Sequence, residues 1–529
     1  LNRAHIASPT RITTIVVLLV GAMVVVYALR NTSGRLSPEE AARTPEQLWE
    51  ARASIQHALK KTKAGGLSVA VVKDDEVVWE EGFGWADREA KIPATPETIF
   101  RLASLSKPMT ATGLMVLVEH GLVDLDRPAN DYLPESKLRA YAGRAEDATV
   151  SNLVFHTAGL PMYWHFFHAG DEHPPDIDES IREYGILVAA PGERHTYSNL
   201  GYGILGRIIS QASGESFRDF MKGEVFEPLG MSHTSVLPDT SFRSLTAKMY
   251  AADGSEIPPY DFDHRAASAV LSSVGDLVRF ARFHLKHPLP DQRPILSETT
   301  IDRMHTESGS SFIDSGRTVD YLLGSFGRIG YGGYTLEVAS GSMPGAASRL
   351  TLVPSQNLII VILCNGDNID LWKIDGALLE AMLPGFGDGA GASEDKPSKD
   401  SDTDDKRTGD FVGSWTGAIV TDAGTVPIGM TFNESGNVQV RIKERRLAPV
   451  RVATPLGDTG YENGTFKGLY HGRLDTADAR RSPHVLLIEC QRRDERLTGY
   501  VAAVAINQDF CLPYWMELER LAAPERAMP

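Results

Sequence analysis

Arg101-Leu102-Ala103-Ser104-Leu105-Ser106-Lys107-Pro108, followed by Leu114, Leu117, Val118 and Leu122 at helical spacing, is the stretch on which both fold and chemistry turn. The periodicity predicts a helix with Ser104 at its N-terminus. Lys107 then lies one turn on and on the same face, where a neutral amine can take the serine proton. The unpaired amides and dipole of the helix start favour a developing oxyanion. A chain of this composition holds S-x-x-K about twice by chance. Alone, the tetrapeptide therefore reads better as an ordinary capping serine beside a surface lysine.

Upstream, residues 36–63 are charged and helical in pattern, with Leu48, Trp49, Ile55 and Leu59 spaced for a packed face. Residues 67–72 and 77–80 are β-prone runs around the turn Lys73-Asp74-Asp75-Glu76, a hairpin signature. A second strand cluster follows at residues 334–364, with 349–353 and 358–363 split by Pro354-Ser355-Gln356-Asn357. Strands at both ends and a mostly helical middle predict one antiparallel sheet packed by helices, an α+β fold.

Tyr197-Ser198-Asn199 precedes another helical pattern, Leu200, Ile204, Leu205, Ile208 and Ile209, and places a phenol and an amide at a helix start. A second Tyr-x-Asn, Tyr461-Glu462-Asn463, shows how cheap the tripeptide is. In order and spacing, the Arg101–Lys107 run resembles the class C β-lactamase-like serine hydrolases together with four others. These are Leu117-Val118-Glu119-His120-Gly121-Leu122-Val123-Asp124-Leu125-Asp126, Leu153-Val154-Phe155-His156-Thr157-Ala158-Gly159-Leu160-Pro161, Tyr197-Ser198-Asn199-Leu200-Gly201-Tyr202 and Glu227-Pro228-Leu229-Gly230-Met231. The resemblance covers about residues 51–384. It implies the penicillin-binding-protein (β-lactamase/transpeptidase-like) fold, with an antiparallel sheet and a helical subdomain.

The same resemblance implies roles. Ser104 would be the acylated nucleophile, Lys107 its proton partner, Tyr197 a second base and relay to the leaving group, and Asn199 a donor to substrate and to Lys107. The backbone N–H groups of Ser104 and Ser342 would form the oxyanion hole. The family's third motif, Lys or His, a small residue, then Gly, aligns through Pro344-Gly345 onto Ala339-Ser340-Gly341. Ser340 and Gly341 keep the substrate-binding edge, whereas Ala339 lacks the cation or imidazole. Two readings follow. One is a hydrolase of a small-molecule or peptide-like acyl substrate (esterase, D-amino-acid peptidase or carboxypeptidase, or β-lactamase-like), with substrates bearing a free carboxylate disfavoured. The other is a catalytically degenerate ligand-binding or cell-wall-binding protein. No cofactor and no metal are expected. A third reading, a tethered adaptor acting through the C-terminal domain, leaves the Ser/Lys/Tyr/Asn set unexplained.

The remaining segments set the context. Residues 12–29 carry no charge and reach about 27 Å as a helix. Arg3 and Arg11 before them and Arg30 after them favour an N-terminal membrane anchor (residues 1–35) with the catalytic domain exported, or a secreted protein if the segment is cleaved. After the hydrolase domain at 36–384 comes an acidic, small-residue linker at 385–409. Residues 410–529 hold short alternating strands and resemble the lipocalin-like barrels that follow this catalytic domain in some serine peptidases and esterases. With 53 Lys+Arg against 69 Asp+Glu and a net charge of −16, nucleic acid is not an expected partner. Of the three cysteines, Cys364 lies in an apolar strand and reads as buried, while Cys490 and Cys511 leave a disulfide open. His165, His168 and His173 fall in a polar insert, residues 164–184, expected to be a solvent loop over the cleft rather than a metal site. His156 is expected to support packing.

Overall fold

The first hairpin forms as strands Gly66–Lys73 and Glu76–Asp87, with Lys73 opposite Glu76. Its turn holds Asp74 and Asp75 at φ 52° and 68°, the left-handed geometry by which a two-residue turn matches strand twist. The second pair, Ala346–Val353 and Leu358–Cys364, also forms, and Leu358–Cys364 pairs with Gly66–Lys73 so that Cys364 faces Leu67. This long-range pairing closes a nine-stranded antiparallel sheet. From one edge it runs through Ser308–Asp314, Arg317–Leu322, Gly327–Tyr331, Tyr334–Met343, Ala346–Val353, Leu358–Cys364, Gly66–Lys73, Glu76–Asp87 and Ile92–Pro93. The structure, a computed structural model, describes residues 44–63, 65–168, 173–314, 316–386, 410–450, 460–462 and 464–521.

Strands Ala346–Val353 and Leu358–Cys364 are buried along their whole length, which accounts for the unbroken apolar run of the second, while the first carries the buried polar side chains Ser348, Arg349 and Thr351. Helices Trp49–Thr62 and Leu371–Met382 cover one face, packing Ile55, Leu378 and Leu379 against Ile360 and Ile362. The other face carries helices Ser106–Glu119, Asn199–Ser213 and Val274–His284. Trp49, expected on the packed face, is instead exposed, and its indole donates to the Thr44 carbonyl at 3.1 Å. Leu48 and Ile55, seven residues apart, share the buried stripe, and the next residue along is rotated about 100° away from it. Leu122 is also exposed, because the helix stops at Glu119.

A buried ion pair ties sheet to helix. Arg349 Nε donates to Asp375 Oδ2 at 2.6 Å, Thr351 Oγ1 donates to the same oxygen at 2.9 Å, and the Trp372 ring lies 3.4 Å from the guanidinium carbon. Arg349 also reaches Ser340 Oγ at 3.1 Å, which carries the restraint into the strand expected to line the site.

The C-terminal region is a second antiparallel sheet ordered Arg445–Arg446, Val438–Ile442, Gly424–Phe432, Gly413–Thr421, Phe510–Arg520, Arg496–Ala505, His484–Arg493, Thr465–His471, Ala448–Pro449. Its first and last strands are joined by the single residue Leu447, so the sheet curls round into a barrel-like form. Trp415, Phe432, Phe466 and Leu518 fill its interior. Tyr461 of the duplicate tripeptide packs here against Phe411, Phe432 and Phe466. Cys364, Cys490 and Cys511 are all free and buried. The open disulfide does not form, because Cys490 faces the filled interior while Cys511 packs with Leu487 and Trp515 in a separate apolar cluster.

The insert at 164–184 corrects another expectation. Trp164–His168 is a strand, not a solvent loop, pairing with Phe510–Arg520 (Phe510 opposite His165) and with Tyr260–Phe262. Its run of aromatic side chains suits an edge pairing, which buries His165 and brings the C-terminal sheet onto the catalytic part. Ile177–Tyr184 is a helix, and His173 is exposed. Among the described residues no helix is long and apolar enough to cross a membrane and no metal-binding cluster occurs. The anchor expected at 12–29 lies outside the described residues, as do 387–409 of the expected linker.

Removing one partner of the Arg349–Asp375 pair strands a buried charge. Asp375→Leu is expected to cost about 3–5 kcal/mol in denaturant unfolding, and adding Arg349→Met is expected to recover much of it. Equal loss in single and double variants would contradict the assignment.

Candidate active site

The helix Ser106–Glu119 is buried on nearly every side, as expected of a helix without a polar stripe. That burial draws Lys107, in its first turn, into the interior with it. A 3-10 turn, Ala103–Leu105, leads into the helix, and Ala103 has φ 49°. A left-handed alanine costs about 1–3 kcal/mol and is tolerated where surroundings fix the chain. Here it immediately precedes the half-buried Ser104.

Lys107 Nζ stands 3.1 Å from Ser104 Oγ, 2.8 Å from Asn199 Oδ1 and 3.2 Å from the Ala267 carbonyl. All three are neutral oxygens. Burial pushes the amine well below the ordinary lysine range, and its place at the positive end of a helix opposes its charge further. Tyr197 OH lies 2.6 Å from Ser104 Oγ, and its ring centroid is 4.7 Å from Lys107 Nζ. Burial raises the phenol's pKa, so Tyr197 is a protonated phenol at neutral pH.

Asn199 opens the helix Asn199–Ser213, which Ser198 caps by accepting from the Gly201 N–H. Its amide donates to the Tyr163 carbonyl at 3.1 Å, which fixes Oδ1 as the face toward Lys107. His156 is buried, accepts from the Ser198 N–H at 3.2 Å and sits against the Tyr197 ring. Desolvation holds it neutral. The packing expected of it is what the contacts show.

The strand Tyr334–Met343 forms the opposite wall. Its outer neighbour Gly327–Tyr331 pairs with it only as far as Val338, opposite Gly327, so from Ala339 onward this edge is free of sheet partners and lies against the nucleophile turn. A Cβ on Gly341 would stand 2.1 Å from the Leu102 carbonyl and 2.8 Å from the Ser104 nitrogen. Backbone meets backbone there, which only glycine allows. Ser348 Oγ bonds the Leu102 carbonyl at 2.6 Å and steadies the junction. The segment carrying Ser342 thus runs beside the Ser104 amide. Ala339 is buried and offers only a methyl group.

A cavity of about 720 Å³ opens from Ser104, Lys107 and Tyr197 past Ala339 and Ser340 into an apolar recess walled by Val319, Ile329, Val338 and Leu379. Trp372 stands exposed at its mouth, and the exposed Arg317 and Lys373 line it as well. None of the described residues of the 164–184 insert lines this cavity.

Sequence reasoning missed the support behind Tyr197. Tyr202 OH donates to Ser325 Oγ at 2.8 Å, and Tyr321 OH lies 2.7 Å from the same oxygen. His195 stacks on Phe312 and meets Ser310 Oγ at 3.0 Å. Tyr202 was findable, one turn beyond Asn199 on the same helix. Tyr321, Ser325 and Phe312 come from a distant part of the chain with no motif to mark them.

Residues 51–378 match the family described as Beta-lactamase. Among curated relatives, Protein flp of Staphylococcus aureus (strain N315) is 27% identical over 317 residues, covering 59% of this chain and 61% of its own. The chain thus spans less than two thirds of that relative's length. Among solved structures, the octameric penicillin-binding protein homologue from Pyrococcus abyssi is 23% identical with a TM-score of 0.52, covering 89% of this chain and 99% of its own. A class C beta-lactamase is 20% identical with a TM-score of 0.53, covering 63% and 96% respectively. These two likenesses show the fold.

Gly341→Ala is expected to slow covalent labelling of Ser104 by at least about tenfold, since a misplacement of about 1 Å at a reacting group costs up to about 100-fold. Labelling at the parent rate would contradict the close approach. Burial also lowers His195 to about 4, against 6.5 for the free side chain. Between those pH values the unfolded chain takes up a proton that the folded chain does not, so stability falls as pH falls through that window. His195→Asn is expected to flatten this part of the stability profile, read from denaturant midpoints, and an unchanged slope would contradict it.

Proposed function

Because the chain belongs to the Beta-lactamase family, we propose that it is a serine hydrolase that forms an acyl-enzyme on Ser104 with small ester or amide substrates. The observation that carries this reading is the contact of Ser104 Oγ with both a buried amine and a buried phenol, at 3.1 and 2.6 Å. Neutral Lys107 takes the Ser104 proton as Oγ attacks the substrate's carbonyl carbon. The electron pair displaced onto the carbonyl oxygen is met by the N–H groups of Ser104 and Ser342, and each such donor is worth about 3–4 kcal/mol. On collapse, the bond to the leaving oxygen or nitrogen breaks, and that atom takes a proton relayed from the Lys107 ammonium through Tyr197. Water then attacks the acyl carbon, giving a proton to the neutral Lys107 amine; the bond from that carbon to Ser104 Oγ breaks, Oγ takes the proton back, and the acid leaves. The raised phenol favours Tyr197 as relay and acid over a free phenolate base. Asn199 holds Lys107 toward Ser104.

Ala339 and the apolar recess favour substrates whose acyl part is apolar and lacks a free carboxylate, esters ahead of β-lactams and peptidoglycan stems. Ala339 is also the observation behind a second reading, a degenerate scaffold that binds an acyl ligand without turnover. The uncharged run at 12–29 supports tethering to an envelope membrane with the hydrolase outside it, and the strand rhythm of residues 410–529 supports a lipocalin-like domain.

Intact-mass measurement after parallel exposure to a fluorophosphonate, a penicillin and a p-nitrophenyl ester tests the proposal. Adducts or turnover are expected with the phosphonate and the ester, abolished in Ser104→Ala and unaffected by a chelator. Folded protein that takes no label from any reagent would move the binding reading ahead, and preferential labelling by penicillin would overturn the ester preference.

A further inference from the structure

The segment that delivers Tyr197 to Ser104 is gripped from outside by the C-terminal sheet. Glu193 accepts from Arg493 Nη2 at 2.7 and 2.5 Å and from the Ala190 N–H at 3.0 Å. The next residue carries the opposite charge and meets the opposite partner: Arg194 pairs with Glu489 at 2.9 Å and donates to Thr465 Oγ1 at 3.2 Å. Glu489 is itself anchored, accepting from the buried Tyr500 hydroxyl at 3.0 Å. The partners therefore come from three adjacent strands, Thr465–His471, His484–Arg493 and Arg496–Ala505.

This grip differs from ordinary surface ion pairs in burial and in pattern. The Arg194 and Glu489 side chains are only 20% and 12% exposed, and half-buried pairs are screened less than exposed ones. The alternation Glu193, Arg194 against Arg493, Glu489 also fixes register, since a slip by one residue would set like charges together. The sheet that supplies these partners is itself docked on the catalytic part. Its strand Phe510–Arg520 pairs with Trp164–His168, the Tyr184 hydroxyl donates to Asp478 at 2.6 Å, and Tyr141 stacks on Trp515. Only His195 and Thr196 separate Arg194 from Tyr197, so the three residue steps reach at most about 11 Å. Along it His195 stacks on Phe312 and the Thr196 N–H bonds the His156 carbonyl at 2.8 Å. Little slack remains to absorb a displacement of Arg194.

We propose that the C-terminal sheet is a positioning element for catalysis, in which the reciprocal pairs Glu193–Arg493 and Arg194–Glu489 set the place of Tyr197 at Ser104. This rests on Tyr197 as the relay proposed above. Glu193, Arg194, Glu489 and Arg493 touch neither substrate nor reacting atoms and are positioning residues. The C-terminal region is then part of the active unit rather than a passenger joined by a linker.

The test compares Arg194→Glu, Glu489→Arg and their combination in the full chain, with Glu489→Gln as a milder variant. Turnover of a p-nitrophenyl ester and hydrogen exchange over residues 191–198 are followed. Each single reversal is expected to lower kcat about 10- to 100-fold with KM changed less than about threefold, and to speed exchange in that segment. The double reversal restores the pair in inverted sense and is expected to recover at least about tenfold of the lost kcat and the slow exchange, which mere loss of a stabilising contact would not do. Folded single variants with parent kcat and parent exchange, or a double variant no better than either single, would overturn the proposal. If the parent chain shows no turnover that depends on Ser104, the hydrolase reading fails. The exchange comparison then decides the clamp alone, and unchanged exchange in the single variants overturns it.

Discussion

The arrangement depends on one unfavourable placement, an amine held in the protein interior with only neutral oxygens around it. Taking a lysine charge out of water without a carboxylate to meet it is expensive, so the amine is driven toward its neutral form. Lys107 reaches this position because the helix Ser106–Glu119 is buried on nearly every side, packed under the sheet and against the helix Asn199–Ser213. The same burial that stabilises the fold supplies the base. Asn199 and the Ala267 carbonyl orient the amine, and Ser104 is the third oxygen it can reach.

A second constraint is the contact of the strand edge with the nucleophile turn. Gly341 admits the Leu102 carbonyl and the Ser104 amide where any side chain would collide. Behind it, Arg349 and Asp375 anchor the strand through Ser340. Because the neighbouring strand stops pairing at Val338, the edge from Ala339 to Met343 keeps its polar backbone available to a substrate. Fold and site are coupled here through Ser340, which lines the cavity and accepts from the buried Arg349.

Much of this was legible in the sequence, for a physical reason. Local signals such as the two-residue Asp74-Asp75 turn, the unbroken apolar run Leu358–Cys364 after Pro354, and the helix starts near Ser104 and at Asn199 depend on residues close in the chain, and they formed largely as their patterns require, with a 3-10 turn at Ser104 leading into the helix from Ser106. The Ser104, Lys107, Tyr197 and Asn199 groups were marked by spacing and family likeness, and the structure brings all four together. What stayed hidden depends on pairing between distant segments. Trp164–His168 read as a polar insert because its strand partners, Tyr260–Phe262 and Phe510–Arg520, lie about 95 and about 345 residues on. Arg349 gave no sign of its burial, which only the Asp375 carboxylate explains. Ser325 and Tyr321, behind the catalytic phenol, belong to no motif.

The most direct test of the account is the pH dependence of Ser104 acylation by a reagent with no ionisable group of its own, followed under single-turnover conditions. If neutral Lys107 is the base, the rate rises with pH along a single limb set by the lysine, with its midpoint well below the 10.5 of a free amine, and Lys107→Met removes that limb. A limb at the ordinary lysine value, or one that survives in Lys107→Met, would contradict the claim that burial of this amine activates the serine.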